Sequence, residues 1–199
     1  MRRSVLASDS VGAVVMRCAF CVISNPADSE GGLGHDRGVL IDPQILQDAR
    51  ELDLLSTYES ILAELARRGV IRTNDSPVGQ YAEWLAARVL DGTLEANSVK
   101  SHDLVCDEFG RVQVKSRVVR GNSKRAETQL SPFRSFEFDH ALILLFDARY
   151  AVASATIMAA DLIRLAGRQS SHVNGSIVRA TPALLLSGVD VTARFLSAG

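Results

Sequence analysis

Ser101–Arg117 reads SHDLVCDEFGRVQVKSR, and its pattern decides how the rest of the chain is arranged. Asp103 opens a short apolar run, Leu104-Val105-Cys106. The polar Asp107-Glu108-Phe109-Gly110 follows as a turn, and from Arg111 to Val118 apolar and polar residues alternate. Alternation with a period of two predicts a strand with two unlike faces. Val112, Val114 and Val118 point into a core, and Gln113, Lys115 and Arg117 point the other way. The segment is therefore expected to be a hairpin. A carboxylate on its first strand converges with an amide and an ammonium, two residues apart, on its second.

Upstream, Ser76-Pro77 predicts a helix start, with Pro at the first helical position. This helix is expected from Pro77 to about Leu90, stopping near Asp91-Gly92, with Tyr81, Trp84, Leu85 and Val89 buried. Gly79 and Glu83 stand four apart and share a face. Gly79 leaves room for close backbone approach, and Glu83 is expected to project past it. A lone Glu on an amphipathic helix is ordinarily a solvated charge. Beside Asp103 and Gln113-x-Lys115 it becomes a candidate functional carboxylate.

Downstream the chain turns basic. From Arg111 to Ser135 there are seven Lys or Arg (Arg111, Lys115, Arg117, Arg120, Lys124, Arg125, Arg134) and one acid, Glu127, a local charge of +6 in a chain of net charge −1. Gly121-Asn122-Ser123 within it reads as a loop. Such a loop at the mouth of a cleft suits phosphate contact, which supplies sequence-independent affinity for nucleic acid. Phe138–Phe146 is the most apolar strand and belongs at the sheet centre, with Arg149–Met158 returning beside it. Thr93–Asn97 reads as a short first strand and Ala159–Ala166 as a helix ended by Gly167. Ser176–Thr181 reads as a last strand, followed by a helical piece from Pro182 and a final helix capped by Asp190.

Asp103 followed by Gln113-Val114-Lys115 resembles the D-Xn-(D/E)-x-K signature of the PD-(D/E)xK nuclease superfamily, in the Q-x-K form of its Mrr-type branch. In that branch a helix carrying G-x-x-x-E precedes the Asp, as Gly79-Gln80-Tyr81-Ala82-Glu83 does here. The similarity covers roughly Pro77–Val119. It implies an α/β, restriction-endonuclease-like central mixed β-sheet flanked by helices, and a metal-dependent endodeoxyribonuclease acting in restriction, defence or repair. It implies Asp103, Gln113 and Glu83 as ligands of Mg²⁺ or Mn²⁺, and Lys115 as the residue that stabilises charge on the phosphate or positions the attacking water. Arg111, Arg117, Arg120, Lys124, Arg125 and Arg134 become the candidate DNA contacts. The sequence departs from that fold in one place. A helix usually separates the Lys strand from the next core strand, and Thr128–Ser135 allows only a turn or two. The alternative is a catalytically inactive module on the same fold, binding DNA or an acidic partner. Two-strand cutting with one site per chain would require a homodimer.

At 199 residues the chain suits one domain with an appendage. Residues 1–40 are expected to be a poorly anchored arm. Residues 41–199 form the domain, with an N-terminal helix at 43–69, a core at about 77–158 and an extension at 159–199. Met16 offers a second start, which an intact-mass measurement would detect. Asp42-Pro43 begins a helix running to about Arg68 and ended by Gly69, with Ile45, Ala49, Leu52, Leu55, Leu62 and Leu65 as one apolar stripe. Packing on the domain is the reading adopted for this helix, and dimerisation the other. Three cysteines point to a reducing, cytoplasmic setting without a disulfide framework. Cys18, Cys21 and His35 fall short of the four ligands a structural zinc needs. Val11–Ile23 contains Arg17 and is too short to span a membrane. His102 beside Asp103 is an exposed histidine or, less simply, a proton shuttle. No Ser-His-Asp order, phosphate-cradling loop or dinucleotide fingerprint competes with this reading.

Overall fold

The computed structural model describes residues 41–73, 75–96, 101–120 and 128–197. The arm at 1–40, with Cys18, Cys21 and His35, and the loop bearing Lys124 and Arg125 lie outside them. The described chain is a mixed α/β domain built on a six-stranded mixed sheet flanked by helices. Its elements are α1 (Pro43–Asp48), α2 (Glu51–Arg67), α3 (Pro77–Val89), β1 (Thr93–Leu94), β2 (Leu104–Cys106), β3 (Gly110–Val118), β4 (His140–Phe146) and β5 (Val152–Ala159). There follow α4 (Ala160–Ala166), β6 (Arg168–Ser170), β7 (Gly175–Ile177), α5 (Pro182–Leu185), β8 (Val189–Asp190) and α6 (Thr192–Leu196).

The sheet runs β1-β2-β3-β4-β5-β8. All neighbours are antiparallel except β3 and β4, which run parallel with Val114 beside Leu142 and Lys115 beside Ile143. β4, flanked on both sides, is buried from Ala141 to Phe146, as its unbroken apolar sequence requires. The sheet separates two cores. On one face Val112, Val114, Leu142, Leu144 and Phe146 meet Ala82, Leu85 and Ala86 of α3 and Phe195 of α6. On the other, Ala141, Ile143 and Leu145 meet Leu130, Phe133 and Phe138 of the β3–β4 connection and Ile163 of α4. No helix among the described residues is long and apolar enough to cross a membrane.

The β2–β3 hairpin forms as the alternation predicts, with Leu104 opposite Val112. β4 and β5 also pair as expected, and Gly69, at φ +70, closes α2. Three expectations change. The helix expected from 43 to 68 is two helices, because Ala49 and Arg50 adopt extended backbone. Arg50 pairs with Asp53, and with Glu51 these acids favour a fresh helix N-terminus. Of the predicted stripe only Leu62 is buried, while Ile45, Leu52 and Leu55 are exposed, so these helices are not the packed element the pattern suggested. Ser176–Thr181 does not join the main sheet. β7 pairs with β6 in a separate hairpin, and β8 takes the sheet edge beside β5. The β3–β4 connection carries no helix among its described residues. It is held by isolated bridges, Gln129 to Arg179 and Phe133 to Ser176.

Gly110 closes the hairpin turn at φ +65, and a Cβ there would stand 2.7 Å from Oδ2 of Asp139. That carboxylate accepts the Arg111 N–H at 2.9 Å. Gly110→Ala is therefore expected to destabilise the domain by about 1–3 kcal/mol through backbone strain and displacement of Asp139, read as a lower urea midpoint at unchanged slope.

Candidate active site

β2 ends before its partner does. Beyond the Leu104–Val112 pair the backbone continues only through the Asp103 N–H, which donates to the Val112 carbonyl at 2.9 Å. The next N–H on β3, that of Val114, has no strand beside it and donates instead to Oδ2 of Asp103 at 2.6 Å. The same oxygen accepts the side-chain amide of Gln113. An unpaired backbone N–H at a sheet edge needs an acceptor. Asp103 supplies it, and is thereby fixed against the Gln113-x-Lys115 strand.

Glu83 reaches this edge from α3, which lies across the first core. Ser116 ties the start of α3 to β3 by donating to the Val78 carbonyl at 3.2 Å. Gly79 leaves open space, with nothing within 4 Å of where a Cβ would stand. It widens the cavity and is not the close backbone contact its sequence suggested. Two cavities of about 300 and 320 Å³ meet at Ser76, Gly79, Glu83 and Asp103. One extends to Arg72, Glu95 and His102, the other to Gln113, Lys115, Arg117 and Ser131.

Lys115 completes the cluster. Its Nζ lies 5.0 Å from the centroid of the Phe133 ring, a cation–π contact that holds the ammonium from behind. Phe133 is fixed in turn by backbone bonds in both directions with Ser176, at 2.9 and 2.8 Å. The β6–β7 hairpin thus buttresses Lys115 through one aromatic ring.

The charges perturb one another as a buried group would. Burial raises the Asp103 carboxyl above its ordinary range, against the Val114 N–H, Lys115 and the Gln113 amide, which favour the charged form. Burial also raises Glu83, with the Asp103 charge adding to it and Arg72 and Lys115 opposing. Burial lowers Lys115, which Asp103 and Glu83 counter and Arg134 reinforces. Two carboxyls whose burial disfavours ionisation, beside a lysine with a depressed pKa, form the kind of cluster that marks functional sites.

The structure therefore brings Glu83, Asp103, Gln113 and Lys115 together, with Arg117 in the second cavity and Arg134 within electrostatic reach of Lys115. Arg111 does not join them. It makes a two-pronged ion pair with Asp139 at 3.0 and 3.2 Å on the hairpin's outer end. Arg120 follows β3 and is exposed. The His102 ring turns to partners other than the Asp103 carboxylate. Its Nδ1 pairs with Ser101 Oγ at 2.9 Å, and its Nε2 lies 3.6 Å from Glu95.

Sequence reading missed Arg72. Its guanidinium donates to Glu83 at 2.5 Å and to the Glu95 carbonyl at 2.7 Å. Its loop is clasped to α3 by Gln80, whose carbonyl accepts the N–H groups of Arg72 and Thr73. A loop arginine eleven residues from its partner carries no periodic signal.

Among the described residues no three His, Cys, Asp or Glu side chains form a ready cation cage. The donors are two carboxylates, Asp103 and Glu83, and the Gln113 amide. Hard oxygens in that number suit Mg²⁺ or Mn²⁺ keeping much of its water, and a cation would relieve the repulsion between the two acids. No protein-family model matches the chain, and none of the curated proteins does.

The sign of the pH dependence follows from these shifts. Both acids have folded pKa values above their unfolded ones, so ionisation penalises folding above the carboxylate range, and the penalty vanishes as pH falls through it. Lys115 has a folded pKa below its unfolded one, and its penalty lifts as pH rises toward the ordinary lysine range. Asp103→Asn in metal-free buffer is expected to raise stability at neutral pH by about 1 kcal/mol. The gain should shrink toward pH 4 in parallel melting curves of the two proteins.

Proposed function

We propose that the protein is a metal-dependent endodeoxyribonuclease on a restriction-endonuclease-like fold, a Q-x-K member of the PD-(D/E)xK superfamily. One observation carries this reading: Glu83, Asp103, Gln113 and Lys115 converge at one largely buried sheet edge from a helix, a strand entry and a strand. Their order and elements are those of the family. A basic flank lies beside them, with Arg117 lining the cavity and Arg134 near Lys115. The helix that fold usually places before the next core strand has no counterpart among the described residues. Leu130, Phe133 and Phe138 cover that face of the sheet instead.

In this reading Asp103 and Glu83 would hold the divalent ion, with the Gln113 carbonyl as a neutral third oxygen. The ion, when bound, polarises the phosphoryl oxygen and makes a coordinated water acidic. Lys115, backed by Phe133, sets its ammonium against the charge that builds on the phosphate. Arg117 and Arg134 hold flanking phosphates and fix the backbone in register. A neutral amide where most relatives carry a carboxylate leaves the ion one negative charge short, which favours Mn²⁺ over Mg²⁺.

A second reading, an inactive DNA-binding module on the same fold, draws on a specific observation. Asp103 is already satisfied by Gln113 and Val114, and Glu83 by Arg72, so the carboxylates have partners within the chain. Supercoiled-plasmid cleavage separates the two. With Mn²⁺ or Mg²⁺ the wild type is expected to nick or linearise the plasmid, and Lys115→Ala to lose about 10²–10³ in rate. Equal cleavage by both proteins would sink the site assignment. Absence of cleavage, together with an Mn²⁺-independent melting temperature, would favour the binding module.

A further inference from the structure

Gly79 is the third residue of α3, in a helix that alanine would stabilise better than glycine. A glycine ordinarily serves the fold in one of two ways: it takes a left-handed backbone, or it sits where a neighbour leaves no room for a Cβ. Both occur elsewhere in the described chain. Gly69 and Gly110 have positive φ, and a Cβ at Gly92, Gly167, Gly175 or Gly188 would stand closer than 3.0 Å to another atom. Gly79 alone among the described glycines has neither reason. Its backbone is right-handed helical, and nothing beyond its own stretch of helix lies within 4 Å of where a Cβ would stand. The fold does not ask for a glycine there.

The missing side chain leaves a passage. The two cavities at the site share four lining residues, Ser76, Gly79, Glu83 and Asp103. Lys115 and Arg117, the groups that attract a phosphate, line one cavity, while Arg72, Glu95 and His102 line the other. Both carboxylates of the site stand at the junction. A phosphodiester drawn to Lys115 and Arg117 therefore reaches Glu83 and Asp103 across the bare first turn of α3. A side chain at position 79 would extend into that junction. Helix stability given up beside a binding site is a common trade between folding and function.

We propose that Gly79 is the access-determining residue of the site: its absent side chain makes room for the backbone of a bound DNA strand beside Glu83 and Asp103. The identity of the ligand rests on the nuclease reading. The need for space rests on the surroundings of Gly79 alone.

A size series tests it, with Gly79→Ala, Gly79→Leu and Gly79→Met made in the full chain. Each is compared with the wild type in melting temperature, in the shift that Mn²⁺ brings to it, and in plasmid cleavage. Gly79→Ala is expected to melt about 2 °C above the wild type. Gly79→Leu and Gly79→Met are expected to melt no lower than the wild type and to keep the Mn²⁺ shift. Both should nonetheless lose about 10²-fold in kcat/KM, mostly through KM, with Gly79→Ala losing less. A fall in melting temperature with any of the three would mean that the space is not open, and would overturn the proposal. So would full cleavage by the two larger variants, or a loss of their Mn²⁺ shift. If the wild type does not cleave, the nuclease reading fails, and Gly79 is judged separately by fluorescence anisotropy of a short labelled DNA duplex with Mn²⁺ present. Binding weakened about tenfold by Leu and Met then upholds the proposal. Equal binding, or no binding by the wild type, overturns it.

Discussion

The site depends on a strand that stops short of its partner. Had β2 continued past Leu104, its backbone would have taken the Val114 N–H, and the edge of β3 would be closed. Because it stops, the Asp103 carboxylate takes that N–H, and the edge on which Gln113 and Lys115 stand is left for Glu83 to approach. The hydrogen-bond requirement of one edge amide thus positions the acid, and the acid positions the amide side chain beside it. A backbone need, met by a side chain, is a stiffer anchor than a surface ion pair, since leaving a partly buried N–H unmatched is costly.

The two cores explain why this edge holds its shape. α3 is pressed on one face of the sheet by Ala82, Leu85 and Ala86, small and branched residues that let it lie close enough for Glu83 to reach round the edge. On the other face Phe133 closes the second core and presents its ring to Lys115. Glu83 is therefore carried by the core on one face of the sheet, and Lys115 is backed by the core on the other. The charged groups meet at the rim. Among the described residues of the β3–β4 connection, aromatic side chains clustered at Phe133, Phe136 and Phe138 cover that face.

Electrostatically the cluster is held against its own preference. Three ionisable groups are drawn into a poorly solvated rim, where burial disfavours the charge of each. Their mutual attraction does not fully compensate, since both acids remain raised and the lysine lowered. Such an arrangement is a poor way to stabilise a fold and a good way to hold reactive groups, which is the usual sign of selection for chemistry. Arg72 moderates it by pairing with Glu83 at 2.5 Å, and its loop is locked to α3 by Gln80. By contrast, Arg111 spends its charge on Asp139, and that pair shapes the hairpin turn and leaves the site untouched.

The sequence by itself determined whatever local periodicity controls. The alternation over Arg111–Val118 specified β3 and which of its residues face the core. The apolar run ending at Phe146 specified the central strand, and Pro77 and Gly69 marked helix ends, because side-chain period and backbone dihedral limits act between near neighbours. The convergence of Glu83, Asp103, Gln113 and Lys115 was legible because their elements could be placed and their spacing read. Only the tertiary structure decided that β2 stops at the residue that turns Asp103 into an acceptor for Val114, that Arg72 reaches Glu83, and that Phe133 backs Lys115. It also decided that Arg111 turns away from the site, and that the stripe on α2 stays largely uncovered where its pattern implied burial. Those outcomes rest on contacts between residues distant in sequence, on which surface happens to be left to cover another, and no period along the chain encodes them.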